Sequence, residues 1–260
     1  MQYLIGKFST KLFYQLKFAK QKKKFLRNLY STSSLSKTTE DSKDIYENYD
    51  DREQRDYMSR SRFCIYNNKV RKLPFKKIRD AYLQYLYEEL DSVNPRRTPL
   101  KILEVGCGNC INLLNLSQRY KEKAELYGID ISAKRLEVAR KFFGEGLNGI
   151  NLYEAPITQK TIWDDGYFDV VFSMHCLEQI AYETRAAVKE MYRLADRKLV
   201  MIEPVFELGN AAQKLYLYHS DHCRILLKTI HALDYKIARL EPLNIQSNPV
   251  NQSSIVVIEK

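Results

Sequence analysis

Glu104, Gly106 and Gly108 stand in the run Leu103-Glu104-Val105-Gly106-Cys107-Gly108-Asn109-Cys110, an acid followed by two glycines that flank one residue. Glycine lets a backbone approach a ligand closely and adopt conformations closed to other residues. A helical pattern begins directly after this run. A helix N-terminus offers unpaired N–H groups and a positive dipole end, which suits an anionic group such as a carboxylate. Twenty-four residues after Gly106, Asp130 ends Tyr127-Gly128-Ile129-Asp130, where an acid can accept hydrogen bonds from two ribose hydroxyls. A nicotinamide-type fingerprint would need a third glycine three residues after Gly108, and that position is Ile111.

These residues need elements to hold them. Phe75, Ile78, Tyr82, Tyr85, Leu86 and Leu90 predict a helix over 75–91, closed by Asn94-Pro95. From Leu100 short apolar runs alternate with helical patterns. Strands are expected at 100–105, 124–129, 149–153, 168–173 and 198–202, with closing strands at 235–240 and 254–258. Helices are expected at 111–120, 133–143 and 182–194, and over 208–232 with a break near 220–222. Such alternation builds a mostly parallel sheet covered on both faces, with ligands beyond the carboxyl ends of the strands.

The Glu104-x-Gly106-x-Gly108 run, with Asp130 at the tip of the next strand, resembles the class I S-adenosylmethionine-dependent methyltransferases. The resemblance covers residues 98–205 and extends plausibly to 260. It implies an α/β fold, a doubly wound, mostly parallel seven-stranded sheet with helices on both faces, here with a helical N-terminal extension. It also implies S-adenosyl-L-methionine as cofactor. Gly106 and Gly108 would line its methionine part, with Glu104 at the amino group or organising the loop. Asp130 would hold the ribose and Ile131 would pack on adenine. Cys107, Asn109 and Ser173 complete the expected cofactor set. The family often places an acid after the third strand. This chain has Glu154-Ala155-Pro156-Ile157-Thr158 there, with Pro156 or Ile157 at the usual place of the acid.

In that architecture the loop Phe172-Ser173-Met174-His175-Cys176-Leu177-Glu178-Gln179-Ile180 faces the methyl group. Methyl transfer asks the enzyme to position the acceptor and, for a hydroxyl, to remove a proton. His175 has a near-neutral reference pKa and is the first candidate base, with packing or loop capping as its other role. Glu178 is the second candidate and also suits a helix cap. Glu203, before Pro204, could bind an acceptor hydroxyl or amine, or merely end a strand. Asn248-Pro249-Val250-Asn251 is ordinary turn chemistry near the expected acceptor cavity. Cys107 and Cys110 form a C-x-x-C with no second pair, and His219 and His222 lack a third ligand, so no metal is expected.

The chain has 260 residues and a net charge of +10. Residues 1–30 hold eight basic residues and no acid, which leaves 34 basic and 32 acidic residues elsewhere, or +2. A nearly neutral body disfavours nucleic acid as a partner. Five cysteines give no disulfide framework, and no run of about 18 apolar residues could span a membrane. Three segments are expected: a basic amphipathic arm at 1–30, a polar, partly ordered linker at 31–69, and the catalytic domain at 70–260. Leu4, Phe8, Leu12 and Leu16 give the arm an apolar face that could lie on an anionic membrane. The expected location is cytoplasmic, with a peripheral place at the inner membrane face through the arm, and the alternative is a transit peptide. His175 to Ile180, Ile202-Glu203-Pro204 and the 248–251 turn resemble methyltransferases of bacterial surface-carbohydrate and small-molecule biosynthesis. The expected function is O-methylation of a small metabolite. The alternatives are an RNA or protein methyltransferase, or a membrane- or nucleic-acid-associated assembly factor that keeps the fold.

Overall fold

The computed structural model describes residues 49–94 and 98–260, together with two helical positions upstream, Gln15 and Ala19. The rest of the basic arm lies outside the described residues. Helix α1 (Arg52–Ser59) leads into a hairpin of β1 (Ser61–Tyr66) and β2 (Lys69–Pro74). Asn67 and Asn68 turn the hairpin at φ of 49° and 59°, a conformation asparagine tolerates in two-residue turns. The expected linker therefore ends in ordered structure, and the expected boundary at 69/70 falls inside the hairpin. Helix α2 (Phe75–Asp91) follows Pro74 and buries Ile78, Tyr82, Leu86 and Leu90 of the expected face, with Leu83 added and Phe75 and Tyr85 half-buried.

The alternating region is laid out as β3 (Leu100–Val105), α3 (Ile111–Tyr120), β4 (Ala124–Asp130), α4 (Ala133–Phe143) and β5 (Ile150–Glu154). Then come β6 (Phe168–Met174), α5 (Thr184–Leu194), β7 (Ala195–Pro204), α6 (Ala211–His219) and α7 (Leu226–Ala232). The chain closes with β8 (Ile237–Pro242), the short β9 (Ile245–Gln246) and β10 (Ser253–Glu259). Seven strands pair in the order β5-β4-β3-β6-β7-β10-β8, with β10 antiparallel to both neighbours. This is the doubly wound, Rossmann-like sheet that the sequence predicted.

Alternation along the strands divides the core in two. Ile102, Phe172, Val200 and Val257 face a layer with α2, α3 and α4. Leu103, Val171, Leu199 and Val256 face the layer with α5 and α7. In register, Val105 lies beside Ile129 on one side and Ser173 on the other. The carboxyl ends of β3, β4 and β6 are thereby level, at the point where the strand order reverses. That crevice is where an open α/β sheet binds ligands. A second sheet, β2-β1-β9, is joined by Ile65 opposite Gln246 and Tyr66 opposite Ile245.

Candidate active site

Gly106 leaves β3 at φ +70°, and a side chain there would meet Cys176 Sγ at 2.3 Å. The loop is anchored because Gly106 N and Cys107 N both donate to Ile129 O. Gly108, at φ +48°, donates its N–H to Asp130 Oδ2 at 2.8 Å. Asp130 Oδ1 accepts from Ser132 N at 2.9 Å, and Arg135 Nη1 stands 3.6 Å from the carboxylate. Each carboxylate oxygen can accept two hydrogen bonds, so Asp130 keeps capacity for hydroxyl donors.

Glu104 is buried beneath this loop. Its Oε1 accepts from Asn112 Nδ2 at 2.6 Å, while its Oε2 is buried without a partner. Burial pushes its pKa up to about 8. Asn251 Oδ1 is a second buried acceptor without a partner, and both residues line one cavity of about 810 Å³. Two orphaned acceptors in one cavity call for a ligand that donates, and an ammonium group is such a ligand.

Three cavities meet at the ends of the strands. The first, of about 600 Å³, is lined by Gly106, Asp130 and Ile131, with Ala155, Pro156, Ile157 and Thr158 from the loop after β5. The second holds Glu104, Cys107, Asn109, Asn112 and Glu178. The third, of about 870 Å³, lies between α1, the hairpin, α2 and the glycine loop. Among the described residues, His175 alone lines all three.

His175 sits at φ +59°, a conformation unusual for a side-chain-bearing residue and typical of functional turns. Its imidazole is 26% exposed. Nε2 is 2.9 Å from Ser253 Oγ and Nδ1 is 3.5 Å from Glu178 Oε1. Burial pulls the imidazole pKa down, but the Glu178 and Glu203 carboxylates outweigh it and leave it above the ordinary histidine value. Glu178 lies in a short turn, Leu177–Gln179, and accepts from Asn251 Nδ2 at 2.7 Å. His222 Nδ1 stands 3.7 Å from the same oxygen, Oε2. Burial raises the Glu178 pKa, and the His175 imidazole leads the groups that bring it below the usual carboxylate range.

Glu203 and Ser173 take other positions. Glu203 is fully buried and accepts from Ser173 Oγ, Cys176 N and Leu177 N through Oε1, and from Glu178 N through Oε2. Burial holds its pKa up at about 7. The carboxylate thus shapes the 173–178 turn that presents His175, and neither Glu203 nor Ser173 lines any of the three cavities. The sequence reasoning did not single out Arg79, Arg135, Asn112, Glu53 or Ser253. Asn112 carried a signal, a polar residue on the apolar face of α3. Glu53 reaches the loop from α1, accepting from Asn109 Nδ2 at 2.8 Å, with Arg135 at 3.6 Å.

These residues fit the cofactor expected from the sequence. Glu104 and Asn251 offer acceptors to an ammonium, Gly106 lines both the first and the second cavity, and Asp130 faces the first cavity with Ile131. When bound, S-adenosylmethionine supplies an electrophilic methyl on a sulfonium.

Residues 102–198 match a family model described as a methyltransferase domain. Ajmaline N-methyltransferase of Rauvolfia serpentina is 28% identical over 103 residues, 39% of this chain and 34% of that protein. The chain spans a third to a half of the length of the curated relatives it matches. Among solved structures, magnesium protoporphyrin IX methyltransferase from Synechocystis PCC 6803 with bound SAM is 20% identical. It superposes at a TM-score of 0.57, over 88% of this chain and all of that one. The cyclase SpnF superposes at 0.63, with 15% identity, over 87% and 97%. Likenesses this distant show the fold, and a fold hosts more than one chemistry. The family match, the fold and the fit of the cavity residues agree: residues 102–198 form a methyltransferase domain within a Rossmann-like fold whose cavity residues fit S-adenosylmethionine.

Proposed function

We propose that the chain methylates a hydroxyl of a small metabolite, with His175 as the base. The observation that carries this reading is the place of His175, the one described residue common to the three cavities. A methyl donor spanning the first two would present its reactive end where the third opens. With Nδ1–H directed at Glu178, Nε2 is the accepting nitrogen, with Ser253 Oγ 2.9 Å away, and the assignment of that tautomer follows from the carboxylate. An acceptor hydroxyl in the third cavity would give its proton to Nε2. Glu178 orients the ring and stabilises the imidazolium that forms.

Surface-carbohydrate or related biosynthesis is the setting we propose, supported by the resemblance in residues 175–180, 202–204 and 248–251. The N-methyltransferase relative supports a second reading, an amine acceptor, for which a free amine would need no base before transfer. We also propose that residues 1–30 hold the protein on an anionic membrane surface, at the cytoplasmic side.

The test combines binding and turnover. Calorimetry should show S-adenosylhomocysteine bound by the full chain, and no binding at millimolar ligand would overturn the reading. With an O-acceptor found in a panel of sugars and sugar nucleotides, His175→Ala should lower kcat by a factor of about 10²–10⁴ while sparing cofactor affinity. Near-normal turnover would leave His175 a packing residue and favour the amine.

A further inference from the structure

We infer that the acceptor carries an oxyanion, a carboxylate or a phosphate, read by Arg79 and Arg62. The inference rests on the methyltransferase reading above and adds the chemical class of the acceptor.

The third cavity has four charged residues in its wall besides His175: Glu53, Asp56, Arg62 and Arg79. The two acids are already engaged. Glu53 accepts from Asn109 and from Tyr49 OH at 3.1 Å, with Arg135 beside it. Asp56 is paired with Arg60 at 3.0 Å. The two guanidinium groups are not neutralised in the same way. Arg79 Nη1 donates to Asn112 Oδ1 at 3.1 Å and contacts Met174 Sδ at 3.5 Å. Arg62 lies over the Phe75 ring, 5.3 Å from its centroid. No carboxylate of the described residues stands within 4.0 Å of either guanidinium. Once internal pairs are discounted, the cavity is therefore cationic.

Arginine has five donors in a fixed fork that matches carboxylate and phosphate oxygens. Arg79 spends one nitrogen on Asn112, and the fork is half-buried on α2. It faces the cavity that holds the acceptor and also the one that holds Glu104 and Asn112. Arg62 is exposed on β1, with the same cavity lined between them by Phe75, Ile78 and Tyr82. Apolar walls with a cation at each side suit a small body with an acidic substituent. Such a cavity rejects a neutral isostere less by clash than by leaving a guanidinium unpaired.

The test uses the full chain with S-adenosylhomocysteine bound and measures probe affinity by calorimetry. The probes are 4-hydroxybenzoate against 4-hydroxybenzamide, and glucuronate and glucose 1-phosphate against glucose. The anionic member should bind about tenfold or more tightly than its neutral partner, as a charge-assisted hydrogen bond allows. Preference for the phosphate over glucuronate, or the reverse, identifies the oxyanion. Arg62→Gln and Arg79→Gln should each reduce the preference, with circular dichroism confirming that the variants fold. Equal affinity within each pair, or no binding of any probe while S-adenosylhomocysteine still binds, overturns the inference and leaves the methyltransferase reading standing. If S-adenosylhomocysteine itself does not bind, both fall. If Arg79→Gln weakens S-adenosylhomocysteine but not 5′-methylthioadenosine, and the anion preference survives, Arg79 serves the cofactor's carboxylate and the acceptor assignment is overturned.

Discussion

Glu104 and His175 are the residues whose ionisation the site tunes in plain view. A pKa of about 8 means that Glu104 keeps its proton at neutral pH when nothing faces Oε2. An ammonium placed there favours the carboxylate, so ligand binding lowers the pKa and expels the proton. Calorimetry of S-adenosylhomocysteine at pH 7, in two buffers of different ionisation enthalpy, should report roughly one proton released. Glu104→Gln should abolish that release. At His175 the sign runs the other way. The Glu178 carboxylate raises the imidazole pKa, so the rise of rate with pH is centred above the ordinary histidine value. Glu178→Gln removes that support, and the acid limb of the pH–rate profile should move to lower pH. These roles were unequally legible. Glu104, Gly106, Asp130 and His175 stand in short motifs, and the structure brings them to one crevice. The occupation of all the oxygens of Glu203 by the 173–178 turn depends on register between β6 and β7, and no local pattern carries it.

Helix α2 packs its apolar face in the core, and one polar network ties its C-terminal end to β7 and β8. Glu89 accepts from Lys198 Nζ at 2.8 Å and from Arg239 Nη1 at 2.8 Å, and Lys198 also donates to Ser92 Oγ at 2.9 Å. Burial alone would raise the Glu89 pKa, but the two cations outweigh it and lower it. Its contribution to stability is therefore present above the unfolded-state pKa and is lost as pH falls through the folded value. Glu89→Leu removes the shared carboxylate while Lys198 keeps Glu259 and Arg239 keeps Glu88 and Glu241, and urea denaturation should show a loss of about 2 kcal/mol, the scale of lost hydrogen bonds to a charged group. Most elements were readable from apolar spacing, with α2, β3, α3 and α4 matching to the residue. The β1–β2 hairpin was not read. Ser61–Tyr66 buries only Cys64 and Ile65, and its charged flanks resemble a linker. Asn67-Asn68 was the available turn signal. The pairing with β9 is made across about 180 residues of chain, and sequence periodicity is blind to it.

At the scale of the whole molecule, charge and chemistry separate. The eight cations of residues 1–30 stand apart from a nearly neutral remainder. Removing residues 1–30 should abolish binding to vesicles of anionic phospholipid, measured by co-sedimentation at low salt, while turnover of a small acceptor persists. Collapse of turnover would instead place the arm in substrate capture. The small β2-β1-β9 sheet has a consequence of a different kind. Strand β9 leads directly into the segment that carries Ser247, Asn248 and Asn251, which line the cavities. Arg62 of that sheet in the wall of the proposed acceptor cavity and Asn248 and Asn251 in the wall of the proposed cofactor cavity are thus joined through the β1–β9 pairing. Whatever one ligand does to the freedom of that pairing, the other inherits. The affinities of acceptor and cofactor are then linked, each changing the other by the same factor, without a messenger between the two sites.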